Sequence, residues 1–139
     1  MPGKSLARIR ILLCTMKRDM EIIRAILINV ENDKYPYGGL VHLDEFSDET
    51  CGYHVALLFD AGLAEGRLIK SNSFGIAWAS IDRLTSAGHD FCDGIRQDTI
   101  WNKAKEHILK PGASYGLSIL VEYVKLQVHH RVFGSPHNS

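Results

Sequence analysis

Residues 57–91 read LLFDAGLAEGRLIKSNSFGIAWASIDRLTSAGHDF, and the order of signals in this stretch decides the fold. The end of an apolar helix carries Leu58 and Phe59 and stops at Ala61-Gly62, where glycine permits the left-handed turn that closes many helices. Residues 63–70 then form a strand, Ser71-Asn72-Ser73 a turn, and residues 75–81 the return strand. Leu84-Thr85 leads into a new helix from about Ser86, with Phe91, Cys92 and Ile95 on one face. Helix, Gly-Leu exit, two-stranded ribbon and helix occur in this order in a winged helix-turn-helix. The stretch therefore predicts an α+β, mostly helical fold: a winged helix-turn-helix with a two-stranded wing and additional C-terminal helices.

Upstream, residues 17–31 predict a helix, with Met20, Ile23, Leu27 and Val30 three and four apart and acidic Asp19 and Glu21 in the first turn. Residues 35–39 (YPYGG) punctuate it, and residues 40–43 alternate weakly enough to suggest a short strand. Ser47 is a good N-cap for the helix that ends at Gly62, with Asp48 and Glu49 in its first turn. Downstream, Asp98 is the expected N-cap of a helix over 99–109 presenting Ile100, Trp101, Ala104 and Ile108. Lys110-Pro111-Gly112 breaks that helix, and Ser114 opens the last one. Residues 1–15 are expected to be an appendage, 16–132 a single domain, and 133–139 a frayed tail.

The 139 residues suit one domain, and 45% apolar with 23% charged is the balance of a soluble globular chain. The apolar run of residues 11–14 is too short for a signal peptide, and no run approaches the ~20 residues that span a bilayer. Three scattered cysteines, Cys14, Cys51 and Cys92, make no disulfide framework, so a cytoplasmic setting is expected. Sixteen basic side chains balance sixteen acidic ones, but unevenly. Residues 31–66 hold one basic residue, Lys34, against eight acidic, between mildly basic ends. Any account built on attraction to DNA must accommodate that acidic middle.

The segments MKRDMEIIRAIL, YHVALLFDAGLAEG and RLTSAGHDFCDGIRQDTIWNKAKEHI resemble a family of uncharacterised bacterial and phage-associated proteins, domain of unknown function 2513. The resemblance runs roughly from Met16 to Val128 and is most specific between Gly88 and Lys103. It implies a winged-helix-like fold and a prophage or mobile-element origin. It brings no catalytic residues.

If DNA is bound, the helix opened by Ser47 enters the groove, with Ser47, Thr50, Tyr53 and His54 as its contacts and Arg67 and Lys70 of the wing on phosphates. Residues 47–61 contain no Lys or Arg, however, and base reading relies mostly on cationic and amide forks. The bland reading is a scaffold turned to protein contacts with a solvated acidic helix. His89, Cys92 and Asp93 have helical metal-ligand spacing without a second pair of ligands, so packing is the simpler explanation. Cys51 and His54 share a helix but lack the third group of a nucleophilic site. The Arg96–Thr99 and Trp101–Lys103 polar positions are explained by capping and solvation. No catalytic residue, metal site or cofactor is expected.

Two functions follow: a small DNA-binding regulator acting on double-stranded DNA, or a non-enzymatic protein-interaction module on the same scaffold. The last helix carries Leu117, Leu120, Val121, Val124 and Val128 on one stripe, with Ile119 and Leu126 off it. One small core is not expected to cover both sets, so a homodimer is expected.

Overall fold

The computed structural model describes residues 17–35, 39–71, 75–109 and 116–134, and among them it forms five helices and one two-stranded antiparallel sheet. In chain order these are α1 (Met20–Glu31), α2 (Asp48–Asp60), β1 (Ala64–Lys70), β2 (Ile76–Leu84), α3 (Ser86–Ile95), α4 (Asp98–His107) and α5 (Leu117–Phe133). The fold is thus mixed α+β and mostly helical. None of the described helices is long and apolar enough to cross a membrane. The proposed N-terminal appendage, the Lys110-Pro111-Gly112 break, Ser114 and residues 135–139 lie outside the described residues.

Helix α1 begins where the Asp19 carboxylate accepts the Glu21 N–H, so Asp19 is the N-cap rather than a first-turn residue. Ile22, Ile23, Ile26 and Leu27 are all buried, each stabilising the fold by ~1.5–3 kcal/mol. Helix α2 starts as expected, with Ser47 accepting the Thr50 N–H, and ends at Gly62 with φ of 71°. It lies across β2, while α5 packs on α3 and α4 to close the other side of the core.

The ribbon follows the expected path, but β2 runs on to Leu84. Its register slips twice: Glu65 pairs with Arg83 and Gly66 with Ile81, then Ile69 with Trp78 and Lys70 with Ile76. Ala79, Ser80 and Ile81 are buried in succession, so β2 is covered on both faces there, and the first bulge falls just after them at Asp82. Residues 40–43 do not form the expected strand. The Val41 N–H reaches the Ala79 carbonyl at 2.9 Å, but no ladder follows from this single bond.

Asp98 is not the N-cap of α4. Gln97 holds that position without a side-chain bond, and Asp98 is the first helical residue. Its carboxylate instead pairs with Arg24 at 2.9 Å. The same guanidinium donates to the carbonyls of Ile95 and Arg96, satisfying the end of α3, and lies 5.4 Å from the centre of the Trp101 ring. Arg24 therefore fixes the α3–α4 corner from α1, and that geometry draws Asp98 away from its own helix start. Helix α5 begins at Leu117 after Gly116 and extends to Phe133, which the sequence assigned to the tail. Its Leu117, Leu120 and Val124 are buried within the domain, Val121 and Val128 half-buried, and Ile119 and Leu126 remain exposed.

Candidate functional site

Helix α2 and the ribbon carry the residues that the sequence nominated. Ser47 is exposed, but its hydroxyl caps the Thr50 N–H and donates to the Thr50 hydroxyl at 2.9 Å. Both groups are engaged with each other at the helix start. Tyr53 is half-buried. Arg67 and Lys70 are exposed on β1, whereas Arg83 forms a two-pronged pair with its cross-strand partner Glu65 at 3.0 and 3.1 Å.

His54 is not on this surface. It is fully buried, with Nε2 accepting the Asp19 N–H at 2.9 Å and Nδ1 donating to the Thr50 carbonyl at 2.8 Å. Those partners require the neutral ring, and burial lowers its pKa against smaller opposing effects of Thr50 and Asp19. The groove contact expected of His54 is therefore corrected: it is an internal pin between α1 and α2. A sequence signal for this existed, because His54 falls on the stripe Cys51, Val55 and Leu58 at spacings of three, four and seven.

The outer face of α2 and the loop before it is acidic. Asp44, Glu45, Glu49 and Asp60 are exposed, and Asp48 is partly so. His42 sits among them, 3.2 Å from Asp48 and 3.1 Å from Asp44. Its pKa is raised, chiefly by the hydrogen bond with Asp48 and then by Asp44. An open groove of about 680 Å³ runs beside this loop, lined in part by Glu21, Lys34 and His42. Tyr35 crosses it, donating to the His42 carbonyl at 2.8 Å and accepting from Asn29 at 3.0 Å.

The other pairings considered from the sequence serve the fold. Cys92 is buried and its thiol is pushed up to about 12, by burial first and then by Glu31. His89 and Cys92 both turn to Glu31, His89 at 3.2 Å, whereas Asp93 turns to Arg96 at 2.6 Å, so the three do not form one ligand set. Among the described residues no group of His, Cys, Asp and Glu is placed to hold a metal ion. Burial makes Glu31 harder to ionise, but bonds from His89, Cys92 and Arg96 outweigh this and lower its pKa. Cys51 is buried and its pKa raised by that burial, while both ring nitrogens of the neighbouring His54 are occupied. Gln97 and Thr99 receive Arg131 of α5. Trp101 is a core anchor that donates to Glu21 at 3.0 Å.

Geometry and chemistry together define a mixed α+β domain with an acidic helix and a ribbon bearing the exposed cations Arg67, Lys70 and the Glu65-paired Arg83. The chain belongs to the family described as hypothetical protein, domain of unknown function 2513 (DUF2513), whose sequence profile matches residues 17–114. That span is shorter than the resemblance to Val128 and stops before α5. An uncharacterized protein of Haemophilus influenzae is 38% identical over 95 residues, covering 67% of this chain and 79% of the relative. No solved structure matches the chain.

Proposed function

We propose that the chain is a non-enzymatic protein-interaction module on a winged-helix-like scaffold, meeting a basic partner through the outer face of α2 and the loop before it. The charge of that face carries the reading. It presents Asp44, Glu45, Asp48, Glu49 and Asp60, with no Lys or Arg between residues 47 and 61. A helix of this charge repels a phosphate backbone, whereas a basic protein surface is attracted to it. The groups that would read bases are also engaged internally: His54 in the core, Ser47 and Thr50 with each other. The burial of Cys51 and Cys92 supports the non-enzymatic part as far as a thiol nucleophile at those positions is concerned.

The second reading, a small DNA-binding regulator of prophage or mobile-element origin, rests on the exposed Arg67 and Lys70 of the ribbon. A mobility-shift assay with random-sequence duplex at low and moderate salt separates the two. The interaction module gives no retarded complex even at low salt. A photo-crosslinking residue in place of Glu49 then yields protein adducts in cells, and Asp48→Lys abolishes them. A complex at low salt establishes the regulator instead, particularly if Arg67→Ala with Lys70→Ala flattens the salt slope by ~0.9 per lost phosphate contact.

A further inference from the structure

Helix α5 is apolar on two faces. The inner one buries Leu117, Leu120 and Val124, while the outer one exposes Ile119 at 46%, Leu126 at 56% and Phe133 at 75%. A helix with apolar residues on opposite sides ordinarily has both of them covered. The outer residues are seven apart, so they form a single stripe about 21 Å long, most of the length of the helix. The arrangement about Leu126 is symmetric: Ile119 lies seven residues before it and Phe133 seven after, while Glu122 lies four before and His130 four after.

The geometry points to a two-fold homodimer in which α5 packs antiparallel against α5 of a second copy, with the axis at Leu126. That arrangement sets Ile119 beside Phe133 of the second copy and Glu122 beside its His130, a carboxylate against a hydrogen-bond donor. A parallel arrangement would place the two Glu122 carboxylates against each other, and like charges so placed are unfavourable. Antiparallel pairing also sets each helix N-terminus beside the other's C-terminus, which suits their dipoles. The outer face is held in position before any partner arrives. Tyr123 bonds His107 of α4 at 2.7 Å, and Arg131 bonds Gln97 and Thr99. Such preorganisation lowers the ordering cost of association. The seam differs from the acidic face of α2 in position and chemistry, so it does not depend on what that face binds.

The test is the mass of the full chain by light scattering and sedimentation over a wide concentration range. The wild type gives twice the chain mass, and Leu126→Glu gives the single mass with an unchanged circular dichroism spectrum. Glu122→Arg weakens the dimer, and adding His130→Glu restores it, a rescue that only the antiparallel seam explains. A wild type at single mass throughout overturns the proposal, as does a Leu126→Glu variant that keeps the double mass. A dimer broken by Leu126→Glu but indifferent to the charge exchange overturns the antiparallel arrangement.

Discussion

The Thr85 hydroxyl donates to the Gly62 carbonyl at 2.6 Å, joining the exit of α2 to the start of α3. The same oxygen accepts the Gly88 N–H at 3.0 Å as the N-cap of α3, and the Thr85 N–H donates to the Leu63 carbonyl at 2.9 Å. Ala64 and Leu84, the outermost residues of the ribbon, are cross-strand partners. Thr85 therefore clasps the open end of the hairpin while capping the helix that follows it.

Thr85→Val keeps the shape but leaves the Gly62 carbonyl and Gly88 N–H without their partner. The expected loss is about 1–3 kcal/mol, seen as a fall in melting temperature of several degrees for a domain of this size. Thr85→Ser retains the hydroxyl and recovers most of the loss. A valine variant that melts with the wild type would remove the clasp from the stability of the fold.

Two glycines beside the clasp separate space from backbone angle. A Cβ on Gly88 would stand 1.8 Å from the Leu63 carbonyl oxygen, a backbone atom that cannot swing aside. Gly88→Ala is expected to cost about 3 kcal/mol or more. At Gly62 a Cβ meets nothing within 4 Å, but φ is +71°, so Gly62→Ala should cost only ~1–2 kcal/mol. Urea midpoints with equal slopes measure both, and a smaller loss at Gly88 than at Gly62 would contradict the packing described.

The readable parts of this fold are those whose signals are local. The Ser47 cap, the Gly62 terminator, the ribbon and the α3 start at Ser86 all rest on a residue and its immediate neighbours. Residues 40–43 alternate like a strand but have one backbone bond to β2, and nothing in their own sequence reveals the missing ladder. Asp98 has the chemistry of a cap but pairs with Arg24, which lies 74 positions away in sequence. At the site, the acidic charge of α2 was legible from composition. The burial of His54 was legible only from the phase of its stripe, which the attraction of a polar residue on a candidate recognition helix obscures.

His54 and His42 give opposite pH dependences. Burial lowers the His54 pKa below the ordinary histidine value of 6.5. Its contribution to stability is complete above that unfolded value and is lost as pH falls through the folded one. His42 is raised, so its contribution is complete below 6.5 and is lost as pH rises through its folded value. Urea midpoints measured across this range should show the acid-side fall flattened in His54→Gln and the other flank altered in His42→Asn. An acid-side slope unchanged in His54→Gln would show that the ring is not held neutral.

Cys51 and Cys92 are both buried with raised pKa values, so iodoacetamide at mildly alkaline pH should leave them unmodified in the native protein and label them in denaturant. Peptide mapping by mass spectrometry assigns the label. Rapid native labelling of Cys92 would mean that α3 opens from α1 far more readily than this packing allows.

Reversing the charge of α2 tests both its fold and its partner preference. Asp48 and Glu49 occupy the first turn, where the helix dipole favours anions by ~0.3–1 kcal/mol each, and Asp48 also holds His42 at 3.2 Å. Asp48→Lys with Glu49→Lys is therefore expected to melt a few degrees lower. The variant stays folded, because the Ser47 cap and the buried Val55 and Leu58 remain. Two cations then replace two anions at the start of α2, and attraction to phosphate becomes more favourable. The variant should retard random-sequence duplex at low salt and release it as salt rises, while the wild type does neither. Equal retardation by wild type and variant would show that DNA approaches without meeting this helix, and the acidic face would then no longer count against the regulator.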